Sequence, residues 1–158
     1  MKLMLSLILI CVGVSGYSQK LDISSLLVIL NEPFQKADSI IRSKDFNLAD
    51  KETGQGYFNF YYNSFEKAEK NVQILRAFSI MDIFNETDTS RMMLYRTYLK
   101  KDQEELANQL RKNGFEIDQR SGNNYIYKKG ELIITNKINE KMTANGQRVF
   151  AYEFELGR

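Results

Sequence analysis

The sequence predicts an α+β fold: a tandem repeat of a helix followed by a four-stranded antiparallel meander, with the helices packed on one sheet face. Three observations carry this. Residues 21–44 and a segment beginning at Asp102 show helical apolar spacing, and each is followed by four short runs of strand character. The phrase IIRSKDFNL at 40–48 aligns without gaps to QLRKNGFEI at 109–117, placing Ile41 with Leu110, Arg42 with Arg111, Phe46 with Phe115 and Leu48 with Ile117. Short polar or glycine-bearing turns separate the later runs, which suits hairpins.

The elements follow in order. Asp22 can cap a first helix whose stripe is Leu26, Leu27, Ile29 and Leu30. Asn31-Glu32-Pro33 interrupts it, because proline is tolerated only in a first helical turn; a second helix is expected from here, capped by Asn31 and striped by Phe34, Ala37, Ile40 and Ile41. Phe46–Leu48 is a short strand, 50–56 a polar turn, and 57–62 (YFNFYY) an aromatic strand. Strands are expected at 72–81 and 91–98, with a polar loop between them. Asp102-Gln103-Glu104-Glu105 then forms an acidic first turn that complements a helix dipole, Leu106, Ala107 and Leu110 face inward, and Asn113-Gly114 ends the helix. Strands at 115–117, 124–128, 131–136 and 148–156 complete the second half, with turns at Ser121-Gly122, Lys129-Gly130 and Asn145-Gly146.

The chain of 158 residues opens with Met1-Lys2, an apolar run from Leu3 to Val14, and small residues at Gly16 and Ser18. This is the pattern of a cleavable export signal over 1–18, cut between Ser18 and Gln19; the run is short for a bilayer span, so no stable membrane insertion is expected after cleavage. The expected location is periplasmic or secreted. Residues 19–98 and 99–158 are then the two helix-plus-four-strand halves.

The chain has no histidine, and its one cysteine, Cys11, lies in the leader. After cleavage neither imidazole nor thiol remains. Cys and His nucleophile or base arrangements, disulfides and nearly all zinc, copper and haem sites are thereby removed, and no cofactor or metal is expected. Hydrophobic residues make up 43% of the chain and charged ones 27%, with a net charge of +2. The first figure supports a packed core; the near-balance of charge leaves no electrostatic footprint for nucleic acid.

The residues that stand out are aromatic. Along 57–62, Phe58, Phe60 and Tyr62 form one row and Tyr57, Asn59 and Tyr61 the other. The second half offers Tyr125 and Tyr127 in the matching strand. Tyrosine joins rigid apolar area to a hydroxyl, so a Tyr/Asn face of Tyr57, Asn59, Tyr61, Tyr125 and Tyr127 suits contact with a protein, peptide or glycan, as against tyrosines that merely roof the core. Glu153 and Glu155 share a face of the last strand as a solvated pair. Asp82, Asn85, Glu86, Asp88 and Ser90 lack the spacing of a calcium loop.

The order of elements resembles that of the β-lactamase inhibitor proteins, which also place a helix before four strands twice over. The resemblance lies in element order alone; their disulfides have no counterpart here, and no residue role is carried across. The expected function is a non-catalytic binding or interaction module of the bacterial envelope. Two alternatives stand beside it: a carboxylate-dependent hydrolase acting on cell-wall or glycan material, and a structural subunit of an envelope complex.

Overall fold

The computed structural model describes residues 20–68, 71–142, 146 and 148–157. The expected leader and its cut, and Asn145 of the last turn signal, lie outside them. The elements are α1 (Ile23–Asn31), α2 (Phe34–Arg42), β1 (Asn47–Gly54), β2 (Tyr57–Ala68), β3 (Asn71–Phe84), β4 (Thr89–Thr97), α3 (Lys100–Lys112), β5 (Glu116–Ser121), β6 (Asn124–Lys129), β7 (Leu132–Met142) and β8 (Arg148–Gly157). Among the described residues the fold is α+β: three helices and one antiparallel sheet made of two four-strand meanders, β1–β4 and β5–β8.

The helices form where capping and stripe agree. Asp22 accepts the amide of Ser25 at 2.7 Å and starts α1, which buries Ile23, Leu26, Ile29 and Leu30. Asn31 ends this helix rather than capping the next one. Pro33 takes the N-cap position of α2 without a side-chain bond, its fixed φ holding the chain in the entry geometry while α2 buries Ala37 and Ile41. In α3, Leu106, Ala107 and Leu110 face the core as expected. Asp102 does not sit on the surface. It is buried, with its carboxylate 2.5 Å from Arg76 Nε of β3 and 2.9 Å from Lys20 Nζ. Packing overrides the dipole role here: the carboxylate ties α3 to the sheet and to the segment preceding α1.

The strand order is β1-β2-β3-β4-β8-β7-β6-β5. The two meanders join through their last strands, with Tyr95 opposite Phe154, Leu94 opposite Glu155 and Met93 opposite Leu156. Three matching details show how alike the two halves are. A bulge at Ala49 follows the pair Leu48–Tyr62, and a bulge at Asp118 follows the pair Ile117–Tyr127. Asp45 and Gly114, aligned in the repeated phrase, are both left-handed, at φ 61° and 80°. Phe46 and Phe115, next in line, are both buried at 2% exposure.

The segment 50–56 expected as a turn is mostly strand: β1 pairs with β2 as far as Gly54–Tyr57, leaving only Gln55 and Gly56 to turn. Its polarity misleads because β1 is an edge with nearly every side chain in solvent, and charged residues on an edge discourage further strand addition.

All three helices reach the same alternating set of strand residues. Phe34 of α2 stacks on Phe60 at 3.9 Å between centroids. Arg91 of β4 donates to the carbonyls of Ile29 and Glu32 at the end of α1, both at 2.6 Å, while binding both oxygens of Asp82. A row of Phe60, Ile80, Met93, Leu156, Ile134 and Tyr127 crosses six strands on this side and is buried throughout. Each such side chain withdrawn from water stabilises the fold by about 1.5–3 kcal/mol.

Candidate functional site

Alternation places the five tyrosine and asparagine candidates on opposite sides of the sheet. In β2 the even-numbered residues Phe60 and Tyr62 point to the helices, so Tyr57, Asn59 and Tyr61 point away. In β6 the odd-numbered residues point to the helices. Tyr127 is 1% exposed within the core, and Tyr125 packs against its edge. The bulges set the register: Tyr62, opposite Leu48, corresponds to Tyr127, opposite Ile117. The counterparts of Tyr125 and Tyr127 are therefore Phe60 and Tyr62. A shift of one residue exchanges faces, and the five do not form one surface. Burial raises the Tyr127 hydroxyl above its ordinary 10.0, the positive Arg111 opposing it.

The remaining three form a compact cluster on the helix-free face. Tyr57 and Tyr61 are half-buried, and Asn59 is 4% exposed. Glu52 stands directly across from Asn59 in β1. Its two carboxylate oxygens accept from the Tyr57 hydroxyl at 2.9 Å and the Tyr61 hydroxyl at 3.0 Å, and Asn59 Nδ2 donates to the Tyr61 oxygen at 2.6 Å. These bonds to Glu52, aided by its charge, raise both tyrosine hydroxyls above 10.0, so both remain protonated donors at neutral pH. The Tyr57 ring packs against Gly54, its cross-strand partner; a Cβ at Gly54 would come within 2.1 Å of the ring carbon Cε1. Glycine is needed here for space, not for its dihedral freedom.

Beyond the cluster, Ala77 and Ser79 are small, and a depression of about 140 Å³ opens over them between Tyr61, Asn63, Leu94 and Arg96. Further across, Arg96, Glu153 and Lys137 stand in one cross-strand row. Glu153 is not the solvated residue expected. It is 7% exposed and accepts from Arg96 Nε at 2.7 Å and Asn139 Nδ2 at 2.6 Å. Strand β8 lies in the middle of the sheet, so both its faces are partly covered, and the buried carboxylate is matched by a cation. Glu155 pairs with Lys137 at 2.7 Å. Met92 and Ile133, 54% and 49% exposed, leave apolar area on the same face.

A larger concavity of about 370 Å³ lies on the helix side, between the turn at Asn31–Pro33 and the strand ends at Asp82 and Asp88–Arg91. Both oxygens of its buried carboxylate, Asp82, are held by Arg91. Among the described residues, no group of three or more Asp, Glu, His or Cys is placed to hold a metal ion, and no helix is long and apolar enough to cross a membrane.

Sequence reasoning missed Glu52 and Gly54. Their signal was present as the alternation Asp50, Glu52, Gly54 facing Tyr61, Asn59, Tyr57 about a two-residue turn, hidden because an edge strand need not be apolar on either face. In comparisons with protein-family models, with curated proteins and with solved structures, nothing matches this chain.

Proposed function

We propose that this protein is an exported, non-catalytic binding module that takes a protein partner on its helix-free sheet face. The observation that carries the reading is the ordered cluster of Tyr57, Asn59, Tyr61 and Glu52. It shares a face with exposed Met92 and Ile133. Pre-ordered tyrosines lose little entropy on contact, and exposed apolar side chains beside them supply area to bury. The leader pattern at 1–18 supports export to the periplasm or beyond. The halves 19–98 and 99–158 are read as copies of one unit of helix plus meander, a reading supported by the aligned left-handed residues and the matching bulges. A structural subunit of an envelope complex would use the same face as a permanent interface, and the exposed Met92–Ile133 area favours that as the second reading.

The test is capture from envelope extracts with the wild-type protein and three variants. Tyr61→Ala and Met92→Glu alter the helix-free face; Gln35→Arg alters an exposed position on α2. A partner lost with the first two and kept with the third supports the reading. A partner kept by all three, or lost only with Gln35→Arg, overturns it.

A further inference from the structure

The cluster on β1 and β2 carries a charge that nothing beside it neutralises. Glu52 is exposed, and its hydrogen-bond partners are two neutral hydroxyls that orient the carboxylate without cancelling its charge. Among the described residues, no lysine or arginine pairs with it. The adjacent Lys51 points to the other side of the sheet, its ammonium 5.5 Å and 5.4 Å from the Phe58 and Phe60 ring centroids. Asp50, two residues along the same strand and opposite Tyr61, adds negative charge.

A second observation is independent of charge. Asn59 is 96% buried, and while its Nδ2 is used by Tyr61, its Oδ1 has no hydrogen-bond partner. A buried acceptor left unpaired is costly, so a donor supplied at this position is rewarded by the bond it completes. Asn59 and Glu52 are cross-strand partners, so their side chains stand close enough to meet one incoming group. Two tyrosine rings flank that position on the same face, and the electron-rich faces of aromatic rings attract cations. A carboxylate, an unpaired carbonyl oxygen and two aromatic rings together match an organic cation with several N–H donors. Among the described residues, no group of three or more Asp, Glu, His or Cys is placed here to hold a metal ion.

We propose that Glu52, Tyr57, Asn59 and Tyr61 form a subsite for a lysine or arginine side chain presented by the protein partner. This rests on the helix-free face being the binding surface and specifies the chemistry of its β1–β2 corner. The basic head group lies against Glu52 and donates to Asn59 Oδ1, while its aliphatic stem runs along Tyr57 and Tyr61.

The probes are three blocked tripeptides, Gly-Lys-Gly, Gly-Arg-Gly and Gly-norleucine-Gly, titrated into the purified protein with NMR detection. The expected result is a saturable shift of the Asn59 side-chain amide and the Tyr57 and Tyr61 ring signals with a basic peptide and none with norleucine. Glu52→Gln keeps the shape and should weaken binding about fivefold or more; its amide spectrum away from β1 and β2 should superimpose on the wild type. No saturable shift from either basic peptide, or equal affinity in Glu52→Gln, overturns the subsite. Capture with Glu52→Gln separates the two readings. A partner lost with Met92→Glu but kept with Glu52→Gln sinks the subsite and leaves the face standing. A partner kept by both sinks the face and, with it, the subsite.

Discussion

Asp45 and Gly114 hold the same left-handed backbone conformation at the same point of the two halves, where a helix gives way to the first strand of a meander. Left-handed backbone is strained for a residue with a Cβ and free for glycine, so the first half carries a cost that the second avoids. Asp45→Gly should stabilise the protein by about 0.5–1 kcal/mol and Gly114→Ala should destabilise it by about 1 kcal/mol. A Cβ at Gly114 would meet only the end of Lys129, at 3.8 Å, so the cost is conformational rather than a clash. Urea unfolding of both variants checks the pair; equal and same-signed effects would contradict it.

Asp102 makes acid stability depend on one carboxylate. Burial alone would raise its pKa, but the hydrogen bonds from Arg76 and Lys20 outweigh that and hold it below the ordinary 3.8. A depressed folded value means that the stabilisation is fully present above the unfolded value. It is lost as pH falls through the lower, folded one. Asp102→Asn should therefore cost about 3 kcal/mol at neutral pH, because Arg76 stays buried without a counter-charge. The deficit should shrink below about pH 3.8. Thermal unfolding across that range, compared with wild type, is the measurement.

At the alkaline end Tyr62 is a controlling group beside Tyr95, whose hydroxyl burial also pushes well above 10.0. Burial, reinforced by the 2.7 Å hydrogen bond to Asp38, pushes the Tyr62 hydroxyl well above 10.0. A raised folded value leaves stability intact below the unfolded value and erodes it as pH climbs past that point. Stability should decline above about pH 10, and Tyr62→Phe should flatten that decline. An unchanged alkaline slope in Tyr62→Phe would assign the loss to other groups.

Gly54→Ala tests the support under the cluster. The added methyl cannot coexist with the Tyr57 ring, so the ring must leave its place over β1 and release Glu52. Overpacking of this kind costs about 1–3 kcal/mol. The Tyr57 ring signals should move while those of Tyr127, on the opposite side of the sheet, stay fixed.

Where sequence and structure agree, the signal was a periodicity. The stripes of α1 and α2 and the aligned Phe46 and Phe115 follow from burial on one face. The disagreements have two physical sources. Register is one: without the bulges at Ala49 and Asp118, nothing in the letters shows that Tyr127 answers to Tyr62 rather than to Tyr61. Long-range charge pairing is the other. Asp102 reads as a dipole residue and Glu153 as a solvated one, until Arg76 and Arg96 are brought to them from distant strands. Within the cluster, the row Tyr57, Asn59 and Tyr61 was legible as one face, whereas Glu52 and Gly54 lay in a segment whose polarity masks its strand pairing.

The position of β8 between β4 and β7 has a consequence for assembly. It follows the other seven strands in the chain, yet fills the centre. During synthesis the first meander emerges with β4 as a bare margin, its amides and carbonyls open to a neighbouring molecule until Arg148–Gly157 arrives to zip both halves shut. A nascent chain halted ahead of Arg148 is thus the species most prone to clump, and a holding chaperone matters most in that interval.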